Sequence, residues 1–316
     1  MADRPFLFDV FRLNIVDEEN ASFDFMGKSI RTDQEVKRVL LKATESSFDV
    51  GETSGRTEYR WSIREYWESP INDDATEEVI RVVLGRSTLI QDGQTVTAEG
   101  FEAAQTTMSP PLSETVNIFF YMRRHLVAVE YRSSILHTQS WRNALHLILD
   151  NAARALEFLP GIRLEPVPEN HAVLEAFRSF QRLTRLRVKL RIPNPELDRR
   201  TELLRAEMVE DGIREYTQDM KNPSGLNTNG NGRPFATATM AQAGYKEGEV
   251  ILSGISNGRR KTIRVGNRAA RGRIDGLRDY IRGIGANAKT NETKSAVEKI
   301  LEEIDRVVES PIPPAA

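Results

Sequence analysis

Two periods run through the hydrophobic positions of this chain. A period of two marks strands with unlike faces, and a period near 3.6 marks helices with one apolar face. FLFDVFRLNIV, near the start, reads as a strand with Phe6, Phe8, Val10 and Arg12 on one side and Leu7, Phe11 and Leu13 on the other. TDQE at 32–35 is a capping box: Thr32 accepts from the backbone, Glu35 reaches back, and the helix they open buries Val36, Val39, Leu40 and Ala43. A strand follows over 57–66, then a second capped helix, Asp74 to Glu77, burying Val79, Ile80 and Val83. LIQDGQTV reads as a hairpin turning at Asp92-Gly93. TVNIFFYM and HLVAVEYR form another strand pair, joined at Arg123-Arg124. A long helix from Ser140 to about Phe158 places Leu145, Ile148, Leu149 and Leu156 on one face.

Pro160, Pro166 and Pro168 punctuate the chain after that helix and set a junction there. A helix over His171 to Gln181 leads into LTRLRVKLRIPNP, where Leu186, Val188, Leu190 and Ile192 alternate with Arg185, Arg187, Lys189 and Arg191. Pro193-Asn194-Pro195 ends this strand and starts a helix running to about Met220 through Leu203, Leu204, Met208, Ile213 and Tyr216. KNPSGLNTNGNGRP is a loop without core-forming residues, and EVILSGISNGRRKTIRV is a hairpin turning at Asn257-Gly258. The last helix, NETKSAVEKILEEIDRVVE, carries Val297, Ile300, Leu301, Ile304 and Val308 on one stripe behind the polar linker GIGANAKTNET. That stripe is expected to meet a second copy of the chain. The fold class is therefore α+β, two domains of mixed, largely antiparallel sheet packed with helices. The expected units are 1–168, 169–285 with the basic strand and hairpin, and a C-terminal helix over 286–316.

Charge sharpens this picture. The net charge of 316 residues is only −2, but residues 1–100 hold 12 Lys/Arg against 20 Asp/Glu. Residues 251–285 hold nine basic side chains against Asp275 and Asp279, and eight of the nine are arginine. The strand from Arg185 to Arg191 lines up four cations on one face. The hairpin adds Arg259, Arg260, Lys261 and Arg264, and GNRAARGR continues with Arg268, Arg271 and Arg273. Arginine suits bidentate phosphate contacts, and glycines allow close approach of a phosphate chain. Aromatic residues are absent from the basic segment until Tyr280, which favours duplex backbone contacts over a stacking platform for single strands. The competing reading packs the strand's basic face under an acidic helix with Glu196, Asp198, Glu202 and Glu207.

Catalytic patterns are missing. His125, His137, His146 and His171 show no metal-ligand spacing, and GISNGRRKT lacks the spacing and following helix of a phosphate-binding loop. Glu130-x-Arg132 resembles a nuclease metal motif weakly, with arginine where a proton-transferring lysine belongs. Asp73-Asp74 and Glu18-Glu19 belong to a helix start and a turn. The chain has no cysteine, no apolar run of membrane-spanning length and no signal-peptide pattern, so a cytoplasmic protein without disulfides, metal or cofactor is expected.

LTRLRVKLRIPNPELDRR, the following helix and AQAGYKEGEVILSGISNGRRKTIRV resemble a family of bacterial proteins known only as a domain of unknown function. Pro193-Asn194-Pro195 and the run from Gly248-x-Val250 to Gly254 carry the resemblance. The order of elements is also similar to that of the phage-exclusion protein RexA. This resemblance implies phage defence and a DNA-binding, dimeric sensor that relays to a separate effector; it implies no catalytic residue. The expected function is non-enzymatic binding of nucleic acid, DNA or RNA, through backbone phosphates by a homodimer. The alternatives are an antitoxin-like or scaffold interaction module and a divergent metal-dependent nuclease.

Overall fold

The computed structural model describes residues 5–16, 28, 30, 32–70, 78–136, 139–191, 215–230, 232–283 and 291–308. In chain order the elements are β1 (Phe6–Ile15), α1 (Asp33–Lys42), β2 (Val50–Ser54), β3 (Thr57–Pro70), β4 (Glu78–Thr97), β5 (Gly100–Tyr121), β6 (Leu126–Glu130), α2 (Ser133–Leu136), α3 (Ser140–Ala155) and β7 (Ile162–Pro166). Then come α4 (Ala172–Arg178), β8 (Arg182–Arg191), β9 (Glu215–Lys221), α5 (Arg233–Gln242), β10 (Lys246–Ser256), β11 (Arg259–Val265), β12 (Arg271–Ile274), α6 (Arg278–Gly283) and α7 (Asn291–Val307). The fold is α+β, built on two antiparallel sheets.

The first sheet runs β12-β1-β6-β5-β4-β3-β2, and β7 also pairs with β1. Strands β12 and β7 share one edge of β1 in series: Phe6–Asp9 pair with β12 and Phe11–Ile15 with β7. Both faces of the central part of this sheet are covered, while β4 beyond Leu84 and β5 before Val116 hold no buried residue. On one side Leu13, Ile80, Val82, Val127 and Val129 meet α1 and α3 through Val36, Leu40, Leu145 and Ile148. On the other, Phe6, Phe8, Val10, Phe119 and Leu126 meet α7 through Val297, Ile300 and Ile304. The second sheet, β11-β10-β8-β9, has one face against α4 and α5, with Leu186, Val188, Leu190, Val250 and Leu252 packed on Phe177, Ala238 and Met240. No helix among the described residues is long and apolar enough to cross a membrane.

Several sequence expectations hold in detail. Thr32 and Glu35 form the capping box at α1, and Asn257-Gly258 turns between β10 and β11 with φ of 51° and 72°, the left-handed pair a two-residue hairpin requires. Others are corrected. Val79, Ile80 and Val83 lie on β4, not on a helix, and the cap expected at Asp74 to Glu77 lies outside the described residues. Asp92 and Gly93 sit within the β4–β5 ladder, opposite Gln105 and Ala104; the chain turns at Ala98-Glu99. The helix expected up to Met220 ends in a strand: Tyr216 and Met220 belong to β9, paired with Leu190 and Leu186, and 192–214 lie outside the described residues. Strand β7 and helix α5 were not foreseen.

The C-terminal stripe is also corrected. Val297, Ile300, Leu301, Ile304 and Val308 are buried within their own chain, on the first sheet, not held out for a second copy. The Arg124 guanidinium bonds the Asp305 carboxylate and donates to the carbonyl of Val308 at 3.2 Å, tying down the end of this segment. The chain crosses from the first sheet to the second after β7 and returns through β12.

Candidate nucleic-acid interface

Strand β8 has the two-faced character its alternation predicts. Leu186, Val188 and Leu190 are buried, and Arg185, Arg187, Lys189 and Arg191 stand on the outer face. Register with β10 and β11 extends this face sideways: Ile251, Ser253 and Ile255 lie opposite Arg264, Thr262 and Arg260. At the hairpin end of the sheet the surface hollows into a concavity of about 530 Å³. Arg182, Arg185, Lys221, Arg260 and Lys261 line it together with the hydroxyl residues Thr184, Ser253 and Thr262, and among the described residues no carboxylate residue does. Ser253 and Thr262 share a hydroxyl hydrogen bond of 2.9 Å, and Thr184 donates to the Ser253 carbonyl at 3.1 Å.

The row on β8 is not an unbroken block of charge. Arg185 makes a bidentate pair with Asp219 of β9 at 2.8 and 2.9 Å, and Lys221 approaches the same carboxylate at 3.0 Å. Hydrogen bonding from Arg185 holds the Asp219 carboxyl down at about 2 and raises the guanidinium's own pKa. Lys189, at 2.8 Å, and Arg191 share Glu247 of β10. Burial works to raise the Glu247 pKa, but the Lys189 hydrogen bond and the Arg191 charge carry it below the ordinary value. The acids that pair with the row come from the flanking strands, Asp219 of β9 and Glu247 of β10; Glu196, Asp198, Glu202 and Glu207 of the competing reading lie outside the described residues. Arg182, Arg187, Arg259, Arg260 and Lys261 are exposed and have no ion-pair partner among the described residues.

The remaining expected residues are dispersed. Arg264 faces Glu249 at 3.4 Å, and Arg268, 88% exposed, lies 3.9 Å from Glu169. Arg271 belongs to the first sheet, where it grips Asp9 at 2.7 and 3.2 Å and lies 3.6 Å above the Tyr131 ring. Arg273 pairs with Asp275 at 3.1 Å. The structure thus brings Arg185, Arg260 and Lys261 together and sets Arg271 and Arg273 on another sheet. It adds Arg182 and Lys221, which sequence reasoning missed. Arg182 extends the strand by one residue and was within reach; Lys221 joins only because β9 is a strand.

Of the acidic groups weighed for catalysis, only Glu130-x-Arg132 lies among the described residues. Glu130 is buried; one oxygen accepts from Arg132 at 3.0 Å and the other from the backbone and side-chain amides of Asn117 at 3.2 and 2.6 Å. Asp73-Asp74, Glu18-Glu19 and His137 lie outside the described residues. No group of three or more His, Asp or Glu among the described residues converges as a metal site.

His125 bonds Asp33 at 2.8 Å. His146 accepts the Leu164 backbone N–H through Nε2 at 3.0 Å, and burial, with Arg163 and Arg142 nearby, presses its pKa to about 3. The folded imidazole stays neutral where the unfolded one takes up a proton. Its contribution to stability is therefore complete above about pH 6.5 and drains away as pH falls toward 3. Thermal melts of wild type and His146→Gln at pH 7 and pH 4 check this: the wild type should lose more stability between the two than the variant does.

A two-sheet α+β chain with one cation-lined sheet face is the class of protein these features define. Residues 29–268 match the family described as "Domain of unknown function (DUF4747)", and the chain belongs to that family. The match spans α1 to β11, with strands of both sheets, and leaves out β1, β12, α6 and α7. No curated protein matches the chain.

Proposed function

We propose that this protein binds nucleic acid without cleaving it, seating the phosphate backbone of a duplex in the concavity on the outer face of the second sheet. The observation that carries this reading is the lining itself: around a concavity of about 530 Å³ stand five cations and three hydroxyl side chains, with no carboxylate among the described lining residues, and Arg182, Arg260 and Lys261 are left without an ion-pair partner among the described residues. Cations neutralise phosphates and hydroxyls add neutral donors, whereas no aromatic platform for single-strand bases is present among the described lining residues. The resemblance to RexA read from the sequence motivates the further proposal of a place in phage defence, as a homodimer that relays to a separate effector.

The test is a fluorescence-anisotropy titration of a labelled duplex across a salt series. Replacing Arg260 and Lys261 together with Ser should weaken binding at least tenfold. It should also flatten the slope of log affinity against log salt by roughly two. Arg273→Ser, on the other sheet, should leave the slope unchanged. A wild-type affinity indifferent to salt, or tighter binding to an acidic polypeptide such as polyglutamate than to duplex, overturns the assignment. Cleavage of DNA or RNA in magnesium or manganese would remove its non-enzymatic part.

A further inference from the structure

Two polar cavities meet where the first sheet approaches the second. The inner one, of about 240 Å³, is lined by Asn14, Asn143, His146, Glu165, Arg191 and Glu247. The outer one, of about 640 Å³, is lined by Asp9, Tyr131, Glu169, Arg268 and Arg271 among others. Gln139 and Arg142 line both, so the cavities share a wall at the N-terminal end of α3, a 16-residue helix whose dipole favours an anion there.

Arginines differ in how far they are committed. Arg163 is paired with Asp150, Arg191 with Glu247 and Arg271 with Asp9. Arg142 makes no carboxylate hydrogen bond among the described residues, and the Glu165 charge acts on it only at longer range; its guanidinium donates to the Leu164 carbonyl at 3.3 Å, leaving donors free at the shared wall. A second observation is independent of charge. Asn14 is 2% exposed, its Nδ2 donates to the Gly244 carbonyl at 3.3 Å, and its Oδ1 has no hydrogen-bond partner. A buried acceptor left this way is costly and asks for a donor from whatever fills the cavity. Glu165 sits in the same lining, with Lys246 4.0 Å away; its carboxylate accepts a backbone hydrogen bond from Gly248 and, with two oxygens, keeps further acceptor capacity.

A bare oxyanion would satisfy Arg142 and leave Asn14 unmatched. A ligand with hydroxyls at one end and an anion at the other satisfies both. The inner volume corresponds to roughly eight waters at about 30 Å³ each, room for one sugar ring. We propose that this cleft binds a phosphorylated sugar, its hydroxyls against Asn14 and Glu165 and its phosphate on Arg142 at the end of α3, with Arg268 at the mouth. The site shares no lining residue with the concavity at the hairpin end of the second sheet and does not depend on the nucleic-acid reading.

Calorimetric titration of the full chain with ribose 5-phosphate, ribose, inorganic phosphate and adenosine 5′-monophosphate tests it. Ribose 5-phosphate should bind at least tenfold more tightly than ribose or inorganic phosphate. The monophosphate identifies the source: equal or tighter binding indicates a nucleotide, and weaker binding a free sugar phosphate. Arg142→Gln should weaken ribose 5-phosphate at least tenfold, and Arg268→Ser, at an exposed side chain that the fold does not need, several-fold. Both variants should keep the duplex affinity and salt slope of the wild type. The proposal is overturned by no heat from any probe, or by inorganic phosphate binding as tightly as ribose 5-phosphate, which would mean an adventitious ion only. It is equally overturned by the monophosphate alone binding. If Arg142→Gln does not fold, unchanged binding in Arg268→Ser overturns it.

Discussion

Removing residues 291–316 should unfold the first sheet, not release an intact monomer. The stripe of α7 covers Phe6, Phe8, Val10, Phe119 and Leu126 on the face opposite α1 and α3. Val297, Ile300, Leu301, Ile304 and Val308 are each no more than 7% exposed. At roughly 1.5–3 kcal/mol for each fully buried aliphatic side chain, their loss is on the order of 10 kcal/mol. The net stability of a domain is about 5–15 kcal/mol, so the truncated chain has little or none left. The cut also strips Arg124 of its bonds to Asp305 and Val308 and Arg273 of the Glu303 carboxylate that accepts its backbone N–H. Far- and near-UV circular dichroism with a hydrophobic dye should show lost tertiary signal and exposed apolar surface. A truncated chain with native near-UV signal and a cooperative melt would show that α7 is dispensable to the sheet.

The location of α7 also shows which features of this chain are legible before folding. Its apolar stripe is local, and periodicity finds it; Phe6, Phe8, Val10, Phe119 and Leu126, which the stripe covers, are 170 or more residues away and leave no local signature. The same division runs through the rest. The Thr32–Glu35 box and the Asn257-Gly258 turn are decided by neighbouring residues, and both were readable. Strand β4 was mistaken for a helix because both faces are covered: Ile80, Val82 and Leu84 enter one core and Val79 the other, so the alternation that marks a half-exposed strand is lost. Asp92-Gly93 imitates a turn yet pairs straight through the ladder, in a stretch where most side chains face solvent and no core position constrains the choice. At the candidate interface, the alternation on β8 exposed the cations. Their quenching by Asp219 and Glu247 depends on strand order, which only the folded chain supplies.

Gly254→Ala should damage fold and interface together. Gly254 lies in the lining of the concavity, at the irregularity where pairing of β10 with β8 shifts between Ser253 and Gly254. A Cβ there would fall 2.2 Å from the Arg182 carbonyl oxygen, 2.8 Å from Cδ1 of Phe180 and 3.0 Å from Cα of Leu183. Two of those three atoms are backbone, so a side-chain rotation cannot relieve the clash; the strands must separate. Overpacking of this kind costs about 1–3 kcal/mol, more where backbone has to move. The displacement falls on Arg182 and Leu183, and it loosens the register that sets Ile255 opposite Arg260 and Ser253 opposite Thr262. Urea melts should therefore show a lower midpoint, and duplex affinity at fixed salt should drop by a decade or more. Arg260→Ser with Lys261→Ser should cost affinity while leaving the melt in place, because those side chains are solvated. Ser253→Ala should alter the melt little, since the hydroxyl it removes is bonded only at the surface to Thr262. A Gly254→Ala protein with a wild-type melt would mean that β8 and β10 do not approach this closely in solution. One with a lowered melt and wild-type duplex affinity would place nucleic-acid binding away from the hollow that this glycine makes.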